Sequence, residues 1–222
     1  MVRNKLLVVL TLVVAIIVVI WVVINNSSNV DEEVAREFDE TPAIDGQPYL
    51  EKAGAPVVVI EFGDYKCPSC KSWDETVFPQ LKEEYIDNGV VKFVHINTPF
   101  HGEESLLAAQ ASESVWQNNP DSFWDFHKEI YQSQPETQQH DDLWVTEERL
   151  LEIANSIEST INLEQLESHL QARAFMDEIE TDINLIEAFE VSQTPTIMIN
   201  NYKMNNPFDY NALVELIEME NN

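Results

Sequence analysis

Val57-Val58-Val59-Ile60-Glu61-Phe62, Gly63-Asp64-Tyr65-Lys66 and Cys67-Pro68-Ser69-Cys70 follow one another without a break, and the fold turns on how they are read. The first six residues form a continuous apolar run rich in β-branched side chains, the pattern of a strand covered on both faces. The next four make a turn. Pro68 suits the first turn of a helix, so a helix is expected to start at the Cys67-Pro68 step. It should run through Trp73, Val77, Phe78 and Leu81, with a kink at Pro79. After Asn88-Gly89, the run Val90-Val91-Lys92-Phe93-Val94-His95-Ile96 reads as a second strand, closing a β-α-β unit with a right-handed crossover.

Cys67 and Cys70 are the only cysteines in 222 residues. Two cysteines build neither a disulfide framework nor a four-cysteine zinc site, so they act as one pair. At a helix N-terminus the unpaired N–H groups and the macrodipole favour a thiolate, lowering its pKa below the free value of about 8.5. The spacing brings both sulfurs within disulfide reach across one turn. Cys67, at the exposed end, is expected to be the attacking thiol, and Cys70, tucked behind it, the resolving one. The competing reading is half of a zinc site. It lacks a second ligand pair, because no two of His95, His101, His127, His140 and His169 lie three to five residues apart.

Three charged residues near the pair have two readings each. Lys66 and Lys71 bracket it, either easing thiol ionisation or facing solvent as lysines ordinarily do. Glu61 lies inside the apolar strand, where it either marks an exposed patch or is a buried acid with a raised pKa. We read it as buried, suited to exchanging a proton with Cys70.

A second informative segment is Val191-Ser192-Gln193-Thr194-Pro195-Thr196. Pro195 leads into the strand-like Thr196-Ile197-Met198-Ile199-Asn200. A cis Thr194–Pro195 bond would set Thr194 beside the Cys67 sulfur, its backbone free to pair with an extended peptide. The plainer alternative is a trans proline opening an edge strand. Pro99 also follows a threonine, but it comes after a strand rather than before one. Between the two strand regions lie about 90 residues with helical stripes. These are Leu106, Leu107, Ala111 and Val115; Phe123, Phe126, His127 and Ile130; Leu150, Ile153, Ala154 and Ile157; and Phe175, Met176, Ile179, Ile183 and Ile186. Asn162-Leu163-Glu164-Gln165 resembles a capping box. Tyr202-Lys203-Met204 forms a last short strand before a helix with Tyr210, Leu213, Val214 and Ile217. His127, on an aromatic face, reads as a packing residue, as do His95 and His101.

The N-terminus carries a 19-residue uncharged run, 6–24, preceded by Arg3 and Lys5. Its length matches the bilayer core and exceeds a cleaved signal core, so it is expected to stay as an anchor with its N-terminus inside the cell and the rest exported. Residues 26–45 read as a flexible linker. The chain has 12 basic and 40 acidic residues, and all but two of the basic ones and every acid lie beyond residue 30, a net charge of −30 on the exported part. That balance argues against nucleic acid and against anionic lipid as partners. The expected organisation is an anchor at 1–25, the linker at 26–45, a first half-domain at 46–101, inserted helices at 102–188 and a second half-domain at 189–222.

The segment from Glu61 to Cys70, the helical block containing Phe123-Trp124-Asp125-Phe126-His127, and Thr194-Pro195-Thr196, in that order, resemble the DsbA-like thiol-disulfide oxidoreductases. The nearest likeness is to their membrane-anchored BdbD type from Gram-positive bacteria, and it extends from about Gln47 to the C-terminal helix. The resemblance implies an α/β thioredoxin fold interrupted by a helical domain. It implies catalysis by Cys67, Cys70, Glu61 and Pro195, with Thr194, Pro68 and Ser69 facing the substrate. It also implies disulfide donation to unfolded exported proteins, no cofactor beyond the Cys67–Cys70 disulfide, and reoxidation by a quinone-linked membrane partner resembling DsbB. One position departs. Strongly oxidising members carry His before the second cysteine, and here it is Ser69, so that imidazole is absent. The alternatives are a reductase or isomerase of the same fold serving cytochrome maturation, and a copper- or zinc-binding module using both cysteines with a histidine.

Overall fold

The computed structural model describes residues 13–18, 33–52, 54–136, 143–157 and 161–221. Two short strands, β1 (Ala35–Glu37) and β2 (Tyr49–Leu50), precede the expected buried strand, β3 (Val57–Gly63). Helix α1 (Pro68–Thr76) starts at the expected step. It stops at Val77 instead of kinking at Pro79, and the chain continues through α2 (Phe78–Leu81) into a wider turn, Lys82–Ile86, closed by an Asp87 N–H to Lys82 O bond of 2.8 Å. Pro79 lacks an N–H and its ring crowds the carbonyl four residues earlier, so the break falls one turn back from the proline. Then come β4 (Val91–Asn97), α3 (Glu103–Asn118), α4 (Phe123–Gln132), α5 (Glu147–Ser156), α6 (Leu163–Ala172) and α7 (Met176–Ala188). The chain ends with β5 (Thr196–Ile199), β6 (Tyr202–Met204) and α8 (Tyr210–Glu220).

The strands form one sheet in the order β1-β6-β5-β3-β4-β2. β3 is central, parallel to β4 and antiparallel to β5, which explains its apolar run on both faces. Side-chain alternation sends Val57 and Val59 to one face, under Trp73, Val77 and Leu81 and against Leu213 and Ile217 of α8. Ile60 and Phe62 go to the other face, with Val94, Ile96, Ile186 and Phe189. Glu61 and Gly63 share the parity of Val57, so they face α1. His95 stands in register with Glu61 on β4.

The inserted helices bury the stripes their spacing marked: Ala111 and Val115, Phe123, Phe126 and Ile130, Leu150, Ile153 and Ala154. Asn162 caps α6, its side chain accepting from the Gln165 N–H at 3.1 Å. Three expectations change. Ile183 is 39% exposed, because α7 turns Ile179, Asp182 and Ile186 inward. The 188 boundary does not follow the packing either: Ile186 lies on the second face of the sheet, so α7 is a layer of the α/β domain although its pattern resembles the inserted helices. The linker expected at 26–45 contains β1, paired antiparallel to β6 with Ala35 opposite Met204. Arg36 reaches Glu190 and Phe38 meets Phe189, with ring centroids 5.3 Å apart. Of the anchor expected at 1–25, residues 13–18 are helical and the rest lies outside the described residues. Among the described residues no helix is long and apolar enough to cross a membrane.

Candidate active site

Cys67 occupies the cap position of α1 with Pro68 at the first helical position, so its sulfur lies at the helix end where first-turn N–H groups lack intrahelical partners. Cys70 lies one turn on, fully buried, and both cysteines are free thiols. Cys67 is only 7% exposed, more covered than a helix tip predicts, because the inserted helices and the Thr194 segment close over it. Pro68 and Ser69 form the exposed lip.

The two sulfurs differ sharply in acidity. Cys67 is lowered to about 5, chiefly by the hydrogen bond from Cys70; burial opposes this, and the Thr194 side chain and the N–H groups of Cys70 and Ser69 add to it. Cys70 is pushed far above the ordinary thiol range, first by burial, then by its bond to Cys67 and the nearby Glu61 charge. The Asp64 N–H also points at Cys70 Sγ, at 3.4 Å. One turn of helix therefore carries a ready leaving group and a thiol that must exchange a proton to react.

Thr194 comes from 127 residues away, and Cys67 Sγ lies 3.3 Å from its carbonyl oxygen. The Thr194–Pro195 peptide is cis and Pro195 is buried. Glu61 is buried, as expected, with Oε2 3.4 Å from His95 Nδ1. Neither bracketing lysine reaches a sulfur: buried Lys66 pairs with Glu104, and Lys71 turns to the Gln134 carbonyl at 3.3 Å. The activating reading of these lysines falls, because partners on α3 and after α4 claim their ammonium groups.

His127 packs as expected and accepts or donates one bond, Nδ1 to Tyr65 Oη at 2.9 Å. Burial holds it well below its usual range, so it is neutral. His95 and His101 do more than pack. His101 Nδ1 lies 2.5 Å from Asp64 Oδ2, and that bond raises its pKa. Asp64, not singled out by the sequence, is a hub: Oδ1 accepts from the Lys66 N–H, and Oδ2 from Phe100 N–H, His101 N–H and Ser105 Oγ. The bond to the second residue on is an Asx-turn signature legible in the turn 63–66. Gln134, donating to the carbonyls of Tyr65 and Cys67, left no such local sign. Among the described residues, the side chains that assemble as a possible metal-ligand group are Glu61, His95 and His127, without either cysteine. That counts against a metal held by the thiols and a histidine.

Gly63 is the tightest point. A methyl there would lie 2.6 Å from His95 Cε1, 2.9 Å from Tyr131 Oη and 3.0 Å from Glu61 Oε1. Gly63→Ala is therefore expected to cost about 1–3 kcal/mol through forced displacement of these packed groups. Urea unfolding checks this, and an unchanged midpoint would show that the cluster yields freely.

A family model described as Thioredoxin matches residues 45–219. Disulfide bond formation protein D of Bacillus subtilis (strain 168) is 45% identical over 179 residues, covering 81% of this chain and 79% of that protein. The crystal structure of oxidised BdbD from Bacillus subtilis superposes with a TM-score of 0.78 at 44% identity, covering 83% of this chain and 98% of that one. Chlamydia trachomatis DsbA, at 20% identity and a TM-score of 0.68 over 78% of this chain and 90% of its own, shares the fold.

Proposed function

The chain belongs to the thioredoxin family, among its disulfide bond formation D proteins, and is a protein disulfide oxidoreductase that forms disulfides; from that premise we propose that it works outside the cytoplasm on exported, still-extended polypeptides. The observation that carries the reading is the opposed acidity of Cys67 and Cys70 on one helical turn. A substrate thiolate attacks Cys67, Cys70 leaves, and a second substrate thiol releases Cys67 as a stable thiolate with the new disulfide in the substrate. Glu61 serves as the buried proton partner of Cys70. Pro195 and Thr194 form the wall facing Cys67, and the Thr194 backbone, with the lip at Pro68 and Ser69, receives the extended peptide.

The apolar run 6–24 behind Arg3 and Lys5 supports anchoring in the cell membrane with the domain outside. A quinone-linked membrane protein resembling DsbB then restores the disulfide, and the pair itself is the whole redox equipment. Equilibration with glutathione tests the direction. A potential near ~−120 mV is expected for a donor of disulfides, and one near ~−270 mV would make the protein a reductase instead. The lowered pKa of Cys67, about 5 without an imidazole at position 69, supports the oxidising side.

A further inference from the structure

A proton partner for Cys70 has to exchange with water, yet Glu61 and Cys70 are sealed from solvent. Behind Glu61 three more titratable side chains, from three different elements, extend away from the sulfurs. Glu61 Oε2 is 3.4 Å from His95 Nδ1 on β4. The His95 ring meets the His127 ring of α4 edge-on, with centroids 4.7 Å apart. His127 Nε2 lies 4.0 Å from Asp74 Oδ1 on α1. Asp74, at 9% exposure, is the most exposed of the four. Glu61 Oε1, His95 Nε2 and Tyr131 Oη are all buried without a hydrogen-bond partner among the described residues. Glu61 Oε1 and Tyr131 Oη both come within about 3 Å of the space beside Gly63. Buried polar atoms are ordinarily paired, so a cluster of unpaired ones next to a redox centre calls for a use.

We propose that His95, His127 and Asp74 form a relay that carries protons between Glu61 and the protein surface, opening at Asp74. The proposal rests on the reading of Glu61 as the proton partner of Cys70. Neutral imidazole suits the task because one ring nitrogen donates while the other accepts, so a proton taken at one is released at the other. Burial keeps His127 neutral. His127 Nδ1 is held by Tyr65 Oη, so His95 and His127 touch ring to ring without a direct hydrogen bond, and His127 Nε2 stops 4.0 Å from Asp74; a bridging water or a small side-chain rotation closes each of these two steps.

During disulfide donation the Cys67–Cys70 bond breaks as the Cys67–substrate bond forms, and the electron pair passes to Cys70 Sγ. Glu61 gives Cys70 its proton, His95 and His127 resupply Glu61 from Asp74, and Asp74 recovers a proton from water. When the second substrate thiolate closes the substrate disulfide, Cys67 departs as a thiolate, so the protons lost by the substrate end in solvent and on Cys70. The direction reverses on reoxidation.

Asp74 is raised to about 7, first by burial, then by Glu61; Lys128 pulls it down and Glu75 pushes it up. Facing it in the interior are Glu61, His127, Tyr65 and Tyr131, and both phenols are pushed upward by burial and stay neutral. Below about pH 7 Asp74 therefore holds a proton to deliver, and above it does not.

The test is stopped-flow reduction of the disulfide by a model dithiol peptide across pH, in light and heavy water, for full-length wild type, Asp74→Asn, His127→Gln and Glu61→Gln. The ratio of variant to wild type removes the ionisation of the peptide. Asp74→Asn is expected to slow proton uptake by Cys70 about tenfold below pH 7, with a break in the ratio near that pH and a changed solvent isotope effect. Wild-type rates and isotope effects in Asp74→Asn, with Glu61→Gln still slow, would overturn the relay and leave Glu61 in place. A Glu61→Gln protein at the wild-type rate would overturn both readings. Asp74 lies at the rim, so its variant decides the matter even if His127→Gln fails to fold.

Discussion

Cys67→Ala abolishes disulfide transfer, whereas Cys70→Ala, offered a disulfide-bonded substrate, is arrested as a mixed disulfide: the Cys67 thiolate attacks the substrate disulfide and displaces one substrate thiolate, and no Cys70 follows to release the other sulfur. The asymmetry follows from acidity and access. With a value of about 5, Cys67 is almost entirely thiolate at neutral pH, where an ordinary thiol is only a few per cent ionised. It leaves readily and lies beneath the exposed lip of Pro68 and Ser69. Cys70 is fully buried and disfavoured as an anion, so it resolves intermediates but does not receive them. Non-reducing electrophoresis of substrate adducts distinguishes the variants, and equal trapping by either single substitution would refute the assignment of roles.

The same acidity makes stability depend on pH. The folded Cys67 value lies below the unfolded one, so its thiolate stabilises the reduced protein fully above about pH 8.5, and the contribution drains away as pH falls through about 5. Urea unfolding of reduced and oxidised protein should show the advantage of the reduced form shrinking over that interval.

In the reverse direction, where Cys70 attacks a mixed disulfide on Cys67 and regenerates the Cys67–Cys70 bond, Glu61→Gln is expected to slow that resolution by about 100-fold at neutral pH, toward the lower end of what a positioned acid-base group contributes. The reason lies with Cys70, whose thiol is held protonated by burial and must lose its proton before it attacks. Glutamine keeps the shape and the neighbourhood of His95 but transfers no proton. Removing the Glu61 charge also relieves part of the upward push on Cys70, which offsets some of the loss. The deficit should shrink as pH rises and hydroxide takes over. Decay of a preformed mixed disulfide followed across pH measures this, and resolution at the wild-type rate throughout would remove Glu61 from the mechanism.

What the sequence determined by itself was whatever local pattern encodes. The apolar run of β3, the proline-started helix with its two thiols, the helical stripes of the insertion, the Asn162 cap and the Thr194-Pro195 step all rest on residues within one or two turns of each other. Glu61 was legible as a buried acid because a charge inside an apolar strand is a local anomaly. The tertiary structure decided the rest. β1 joins the sheet through β6, nearly 170 residues later, and its three residues carry too little periodicity to announce a strand. α7 has the stripe of any amphipathic helix, and only the sheet face it meets makes it part of the α/β layers. Lys66 stood beside the thiols in sequence but pairs with Glu104. His95, His127 and Asp74 were scattered, ordinary residues until β4, α4 and α1 brought them behind Glu61. Hydrogen-bond and ionisation energies depend on distances and burial set by packing between remote segments, and a pattern with periods of two or 3.6 residues carries no record of those distances.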